Sequence, residues 1–384
     1  MIHLLSRSLA SHHQARDLFC CRAFRERLYS RIMSFYTTKF SQGGAALAPM
    51  AGYTDAPFRQ LCREFGSSWA VTEMVSARAL VRGDLQGVDI GEPYPGEPDL
   101  VIQVFGGDPA EVAAGGRILY DLYQPSALDI NMGCPVKKVT GKSCGSKLML
   151  EPARAADIVR HLKASVPVPV SAKMRLGYDE RNVIEVAQAL SEAGADLLAV
   201  HGRTAKQRYT GEADWNAIRE VADAVPVPVV GSGDVRTPEQ VQRYRDWGLG
   251  VMIARGAVGR PWIFREVGGG LPLSRAEGLR TAYRHAELHC AWYAARGRRT
   301  RRTFSAAERE AHALRSLRAQ LTAYFSLYKG ARARVIRLET LSELRELIEA
   351  LGVQLSPDSA RQTYTPQPQP LLSPQLTPPG RGGR

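Results

Sequence analysis

Eight short apolar runs recur between residues 45 and 256, and few architectures can bury them all. They are "AALAPM" (45–50), "AVTEMV" (70–75), "LVIQVF" (100–105), "ALDINM" (127–132), "VPVSAKM" (168–174), "DLLAVHG" (196–202), "VPVVGSG" (227–233) and "GVMIARG" (250–256). Each is apolar along most of its length, the pattern of a strand buried on both faces. The gaps are long enough for helices, and some carry a helical period, as in "PAEVAAGGRILYDLY" and "ERNVIEVAQALSEAGA". Alternation of this kind gives a parallel sheet with helices on both faces. Eight such units predict an α/β fold closed into a (β/α)8 TIM barrel, with a doubly wound open sheet as the alternative.

After "GRPWIFREVGGGLPLS" the pattern changes. In "RAEGLRTAYRHAELHCAWYAA", "AEREAHALRSLRAQLTAYFSLY" and "LSELRELIEALG" apolar residues return every three or four positions, with Arg between them. A small all-helical domain over 272–352 is therefore expected to follow a barrel over 41–270. Residues 1–40 form a basic extension without the apolar stretch and cleavage site of a secretory signal. They are expected to be disordered, with an amphipathic organelle-targeting peptide or a true start at Met33 as the alternatives. The Pro/Gln-rich segment 353–384 cannot bury a core and is expected to be disordered.

The formal net charge is +13, and its placement matters more than its size. Residues 1–38 hold six Arg against two acids, and residues 272–384 hold 19 Lys/Arg against nine acids, which leaves the middle near neutral. A near-neutral body with a basic appendage fits chemistry in the body and a polyanion, nucleic acid above all, on the appendage; a solvated cationic surface is the plain alternative. No run approaches the roughly 18 apolar residues of a membrane span, so no membrane partner is expected. Cysteines 20, 21, 62, 134, 144 and 290 form no CxxC pair and no zinc spacing. Reduced thiols, no metal, a cytoplasmic location and a monomer are the expectations.

In a barrel of this class the reactive groups stand at the C-terminal ends of the strands and in the loops that follow. Those positions hold Pro49, Met50 and Ala51 after the first strand, Gln103 in the third, and Asn131 and Cys134 after the fourth. Lys173 and Arg175 lie on the fifth, His201 and Arg203 on the sixth, Ser232, Gly233 and Asp234 after the seventh, and Ala254 and Arg255 after the eighth. Glycine-containing turns after strands seven and eight are the usual barrel phosphate site, because backbone N–H groups can approach an anion there; ordinary tight turns are the alternative. Lys173 and His201 sit among apolar neighbours, so their polar heads need partners at the barrel mouth. A flavin suits both, since a cation near the N1–C2=O edge stabilises its reduced ring. A hydrogen-bonded structural His201 and a Schiff-base Lys173 remain open.

Cys134 falls between a glycine and a proline in "DINMGCPVKKV", where the proline ends the strand ladder. That position favours chemistry over packing. A nucleophile would need a nearby cation to form thiolate, whereas a proton donor needs only a thiol, the ordinary state of cysteine at neutral pH.

With these residues assembled, the chain resembles the tRNA-dihydrouridine synthases, and among them the bacterial B type. The resemblance spans residues 43–350 through "APMAGYTDAPFR", "QVFGGDP", "DINMGCPVKKV" with "GSKLM", "KMRLG", "HGRT", "YTGEADW", "GSGDV" and "RGAVGRPWIFRE". It implies an FMN-binding barrel, a helical domain that helps to hold tRNA, and reduction of the C5=C6 bond of D-loop uridines with electrons from NADPH or NADH. Pro49, Met50 and Ala51 would line the isoalloxazine, Gln103 and Lys173 would bond its polar edge, and His201 would lie against it. Ser232, Gly233, Asp234, Ala254 and Arg255 would hold the phosphate end. Cys134 would be the general acid that protonates C5 after hydride reaches C6, and Asn131, Arg175 and Arg203 would place the uracil. The uridine must leave its stack to reach the flavin, and the Arg run "RGRRTRR" (296–302) would hold phosphates while it does.

Two positions depart from the family pattern. Ser232 stands where asparagine is common, and Ala254 stands where glycine is usual; both keep a backbone N–H. Two rival readings follow the residues less well. One is an FMN barrel acting on a small molecule, as in dihydroorotate dehydrogenases, and the other is an RNA-binding protein that has lost its flavin.

Overall fold

The structure is a computed structural model that describes residues 35–40, 42–83, 90–141, 143–296 and 304–355. The expectations for residues 1–34, for the Arg run beyond Arg296 and for the tail from 356 onward lie outside the described residues.

Eight parallel strands make one sheet: β1 (Ala46–Leu47), β2 (Val75–Ser76), β3 (Val101–Phe105), β4 (Ala127–Met132), β5 (Val170–Arg175), β6 (Leu197–His201), β7 (Val229–Ser232) and β8 (Gly250–Ile253). Their order is β1-β8-β7-β6-β5-β4-β3-β2. The ring closes on the free side of β1, where Leu47 N–H donates to Trp69 O at 2.9 Å and Leu47 bridges Ala70. Val71 in turn bridges Val101 of β3. The result is the (β/α)8 barrel.

The second strand differs from the run expected at 70–75. Only Val75 and Ser76 pair regularly with β3. Upstream, the Thr72 hydroxyl accepts the Gln103 N–H at 3.1 Å, a bond that a neighbouring strand's carbonyl would otherwise take. Thr72 N–H still donates to Val101 O at 3.0 Å, but residues 72–74 form no regular bridge, and Met74 borders the barrel mouth.

Side chains alternate across each strand. One set, including Ile102, Leu128, Ile130, Leu198 and Ile253, packs outward under the surrounding helices. The other points inward: Ala46, Val101, Ala127, Leu197, Ala199, Val230 and Met252 fill the lower barrel together with Tyr36. Residues 35–40, which composition assigned to the N-terminal extension, are helical and bring Tyr36 into that floor. Higher up, the inward positions turn polar. Gln103 pairs in register with Asp129, Asn131 with Lys173, Arg175 with His201, and His201 with Ser232.

The helices begin where local chemistry satisfies their first N–H groups. Asp108 accepts from Glu111 N–H ahead of Pro109–Tyr123, and Asp214 accepts from Ala217 N–H ahead of Trp215–Ala224. Reciprocal capping boxes start Pro238–Asp246, Ala306–Tyr324 and Leu341–Ala350.

Beyond the barrel, Arg275–Arg296 packs against Ala306–Tyr324, and Leu279, Ala286, Leu314, Leu317, Leu321 and Phe325 are part of a separate apolar core. This helical layer docks on the helix Ala56–Glu64. His285 stacks on Phe58 with ring centroids 5.4 Å apart, and its Nδ1 meets Tyr324 OH at 3.2 Å. His289 lies between Asp55 Oδ2 (2.7 Å) and Ser316 Oγ (2.8 Å). Burial pushes the Asp55 carboxyl up, but the His289 hydrogen bond and charge outweigh it and hold it below the usual range. Among the described residues no helix is long and apolar enough to cross a membrane.

Burial pushes His285 down to about 3, so it is neutral in the folded protein near neutral pH. The unfolded chain takes up a proton there below about 6.5, whereas the native state does not until near 3, so stability is lost as pH falls below about 6.5. The melting temperature is expected to drop between pH 7 and pH 5. His285→Phe, which keeps the stacking on Phe58, is expected to flatten part of that drop in a series of melts across this range.

Candidate active site

The strand ends surround a cleft of about 1110 Å³. Every residue selected from the sequence borders it except Arg203: Pro49, Met50, Ala51, Gln103, Asn131, Cys134, Lys173, Arg175, His201, Ser232, Gly233, Asp234, Ala254 and Arg255. The pleat explains the convergence, because inward positions on adjacent strands stand at one height.

Lys173 is half-buried and makes no hydrogen bond or ion pair among the described residues. Burial, then the Arg175 charge, pushes its ammonium down to about 8, while Asp129 pulls it back in part. His201, level with Arg175 and Ser232, is pushed down to about 2 by burial first and then by Lys173, Arg175, Arg203 and Arg255. It is a neutral imidazole in a cationic setting.

The turn after β7 is shaped by close approach. A Cβ on Gly231 would lie 2.2 Å from the Trp215 ring, and Trp215 Nε1 donates to Gly233 O at 3.0 Å. Gly233, at φ +129°, would carry a Cβ 2.5 Å from that of Ala213. Burial pushes the Asp234 carboxyl up, but hydrogen bonds from Arg203 and Ala213 N–H, with the Arg203 and Arg255 charges, hold it below the usual range. After β8, a Cβ on Gly256 would meet Val235 O at 2.3 Å. The glycines let these segments pack this closely, and Gly233 and Gly256 border the cleft.

The Cys134 loop is clamped on three sides. Cys134 N–H donates to Asn131 Oδ1 at 3.0 Å, Cys134 O accepts from Ser146 N–H at 3.1 Å, and Gly133 O accepts from Arg175 Nε at 2.8 Å. Gly145 lets the "GSKLM" segment come this close, since its Cβ would lie 2.7 Å from Cys134 O. Arg175 also donates from Nη1 to Thr204 O (2.9 Å) and Arg208 O (3.0 Å). One guanidinium therefore straps the loop after β4 to the loop after β6.

Arg203 stands behind the rim. It is 2% exposed and donates to Thr210 O, Gly211 O and Asp234 Oδ2, so it braces the turn after β7 and does not face the cleft. Sequence reasoning missed other cleft residues. Tyr209 is exposed at the mouth, with the Arg255 guanidinium 4.5 Å from its ring centroid. Its signal lay in "YTGEADW", a motif noted without a role for its tyrosine. Met74 and, from the helical layer, Ala319 and Ala323 also border the cleft. Among the described residues no cluster of His, Cys, Asp and Glu could hold a metal ion.

A family model described as dihydrouridine synthase matches residues 46–345. The tRNA-dihydrouridine synthase B of Pseudomonas syringae pv. tomato is 41% identical over 232 residues, covering 58% of this chain and 67% of its own. The tRNA-dihydrouridine synthase B of Klebsiella pneumoniae is 37% identical over 306 residues, covering 71% of this chain and 94% of its own. A probable tRNA-dihydrouridine synthase of Treponema pallidum is 38% identical over 267 residues, covering 65% and 78%.

Removing the Arg175 strap leaves three carbonyls short of a donor in a partly buried setting. Arg175→Met is expected to lower unfolding free energy by about 1–3 kcal/mol, measured by denaturant titration of the apoprotein. It is also expected to speed proteolysis between residues 204 and 211.

Proposed function

The chain belongs to the dihydrouridine synthase family and is a flavin-dependent oxidoreductase acting on tRNA uridines, and from that premise we propose that FMN lies across the barrel mouth with Cys134 as the acid. The small-molecule and non-enzymatic alternatives give way to this membership.

Three observations support the flavin assignment. Lys173 offers an ammonium that makes no hydrogen bond or ion pair among the described residues, Gly233 and Gly256 border the cleft without a side chain, and the cleft is large enough for a cofactor with its substrate. Pro49, Met50 and Ala51 line the ring, Gln103 and Lys173 bond its polar edge, and His201 lies against it as a neutral imidazole. Ser232, Gly233, Asp234, Ala254 and Arg255 hold the phosphate end, with Arg203 bracing Asp234 from behind. When bound, reduced FMN supplies hydride to C6 of the uracil, and NADPH or NADH renews it.

The observation that carries the mechanism is the clamped loop that holds Cys134 in the same cleft as Lys173 and His201. As negative charge develops at C4–C5, the Cys134 S–H bond breaks and a C5–H bond forms. The thiolate then regains its proton from solvent. Asn131 and Arg175 hold the loop that presents this thiol, and they orient the uracil through it. The tRNA itself lies over the mouth, against Tyr209, Arg208, Arg236 and the helical layer. Its binding is expected to weaken with salt, as phosphate contacts require.

Two measurements test this. Cys134→Ala is expected to bind FMN and accept electrons from NADPH while dihydrouridine formation falls by about 10²–10⁴-fold; unchanged product would refute the acid assignment. Lys173 carries its charge below about pH 8. FMN affinity of the apoprotein is therefore expected to fall as pH rises through that value, and Lys173→Met is expected to bind FMN weakly at neutral pH without that alkaline limb.

A further inference from the structure

One buried titratable group takes no part in the chemistry above: Asp129 of β4, 2% exposed inside the barrel. Its place follows from the Cys134 loop. Asn131 Oδ1 accepts from the backbone N–H of Gly133 (3.3 Å) and of Cys134 (3.0 Å). A backbone N–H can only donate, so the Asn131 amide must turn its oxygen to the loop and its Nδ2 the other way. That Nδ2 donates to Gln103 Oε1 at 2.8 Å. Gln103 must then turn its own Nε2 inward, and Nε2 donates to Asp129 Oδ2 at 2.7 Å. The direction of every bond is fixed at the loop end, and the other end requires an acceptor. Asp129 is that acceptor.

Its second oxygen is also engaged. Asp129 Oδ1 accepts from Ser171 Oγ at 2.6 Å, and Ser171 Oγ accepts from Tyr36 OH at 3.0 Å. Gln103, Ser171 and Tyr36 are each at most 2% exposed, so solvent does not substitute for a missing partner. A carboxylate fits because two donors converge on it and it offers two acceptor oxygens.

We propose that Asp129 is a positioning residue that locks the amide orientations of Gln103 and Asn131 and, through them, the loop that presents Cys134. The inference rests on the assignment of Cys134 as the acid. Asparagine at position 129 would offer one oxygen to two donors. If Ser171 keeps it, Gln103 reverses, Asn131 reverses with it, and the Gly133 and Cys134 N–H groups lose their acceptor.

The test compares two deletions at one carboxylate in a Cys20→Ser/Cys21→Ser background, where the remaining cysteines, Cys62, Cys144 and Cys290, are buried. Asp129→Asn is expected to speed iodoacetamide alkylation of Cys134 in the apoprotein by about fivefold or more. It is also expected to lower kcat on an unmodified tRNA transcript at least about tenfold, with KM within about twofold. Ser171→Ala removes the other buried bond to the same carboxylate but leaves the upward chain intact. It is expected to lower the melting temperature while leaving alkylation and kcat within about twofold of the parent. Asp129→Glu, which keeps two acceptor oxygens, is expected to lie between Asp129→Asn and the parent. A purely structural role predicts that Ser171→Ala and Asp129→Asn match, and that match would overturn the proposal. Parent-like alkylation in Asp129→Asn, or a Glu variant as reactive as the Asn one, would do the same. Full product formation by Cys134→Ala would instead sink the acid assignment and leave the alkylation comparison standing.

Discussion

The strand register of a closed parallel ring is the constraint on which everything else here depends. Side chains alternate, so adjacent strands in register present their inward residues at a common height. Gln103 beside Asp129, Asn131 beside Lys173, and His201 beside Arg175 and Ser232 are pairings of backbone hydrogen bonding. A slip of one residue on β5 would send Lys173 outward under the helices and bring Ala172 or Met174 into the mouth. The apolar outer face, with Leu128, Ile130, Ala172 and Leu198 in one core, makes such a slip costly.

That register concentrates positive charge at the mouth, and the charges then shape one another. Burial first, and then the charges of Lys173, Arg175, Arg203 and Arg255, hold His201 neutral, and burial lowers Lys173 toward the range in which it can lose its proton. Asp234 answers this after β7, paired with both Arg203 and Arg255. Deeper in, Asp129 is pushed up by burial, with Ser171, Gln103 and Lys173 pulling part of the way back. The cleft is cationic, and its own acids are already committed to arginines, an amide and a hydroxyl.

The barrel was legible because its signal is local and repeated: β3, β4, β6, β7 and β8 fall within the apolar runs, β5 passes the end of its run by one residue, and the rim residues follow from strand ends alone. What escaped the sequence was set by contacts between distant segments. The irregularity at Thr72 depends on a side chain taking the place of a strand carbonyl, which no periodicity reveals. Arg203 reads as a rim residue two positions beyond His201, yet its partners at Thr210, Gly211 and Asp234 draw it behind the turn. Asp129 sat inside an apolar run and was passed over, although a carboxylate in such a run is the cue for a buried partner network. Tyr36 was hidden by the composition of its surroundings, since six helical residues within a basic stretch carry no pattern of their own.

The seam between barrel and helices has a further consequence. Asp55, which anchors His289, also caps the helix that begins six residues after Met50, and Ala319 and Ala323 of the helical layer form part of the cleft wall. Gly259, just past the eighth strand, has no side chain because the backbone at Ala323 and Tyr324 lies against it. The helical layer is thus a wall of the cleft as well as the grip on tRNA proposed for it. A minimal catalyst cannot be cut from this chain at the last strand, and exchanging the helical layer between relatives would mean refitting the chamber around a new wall.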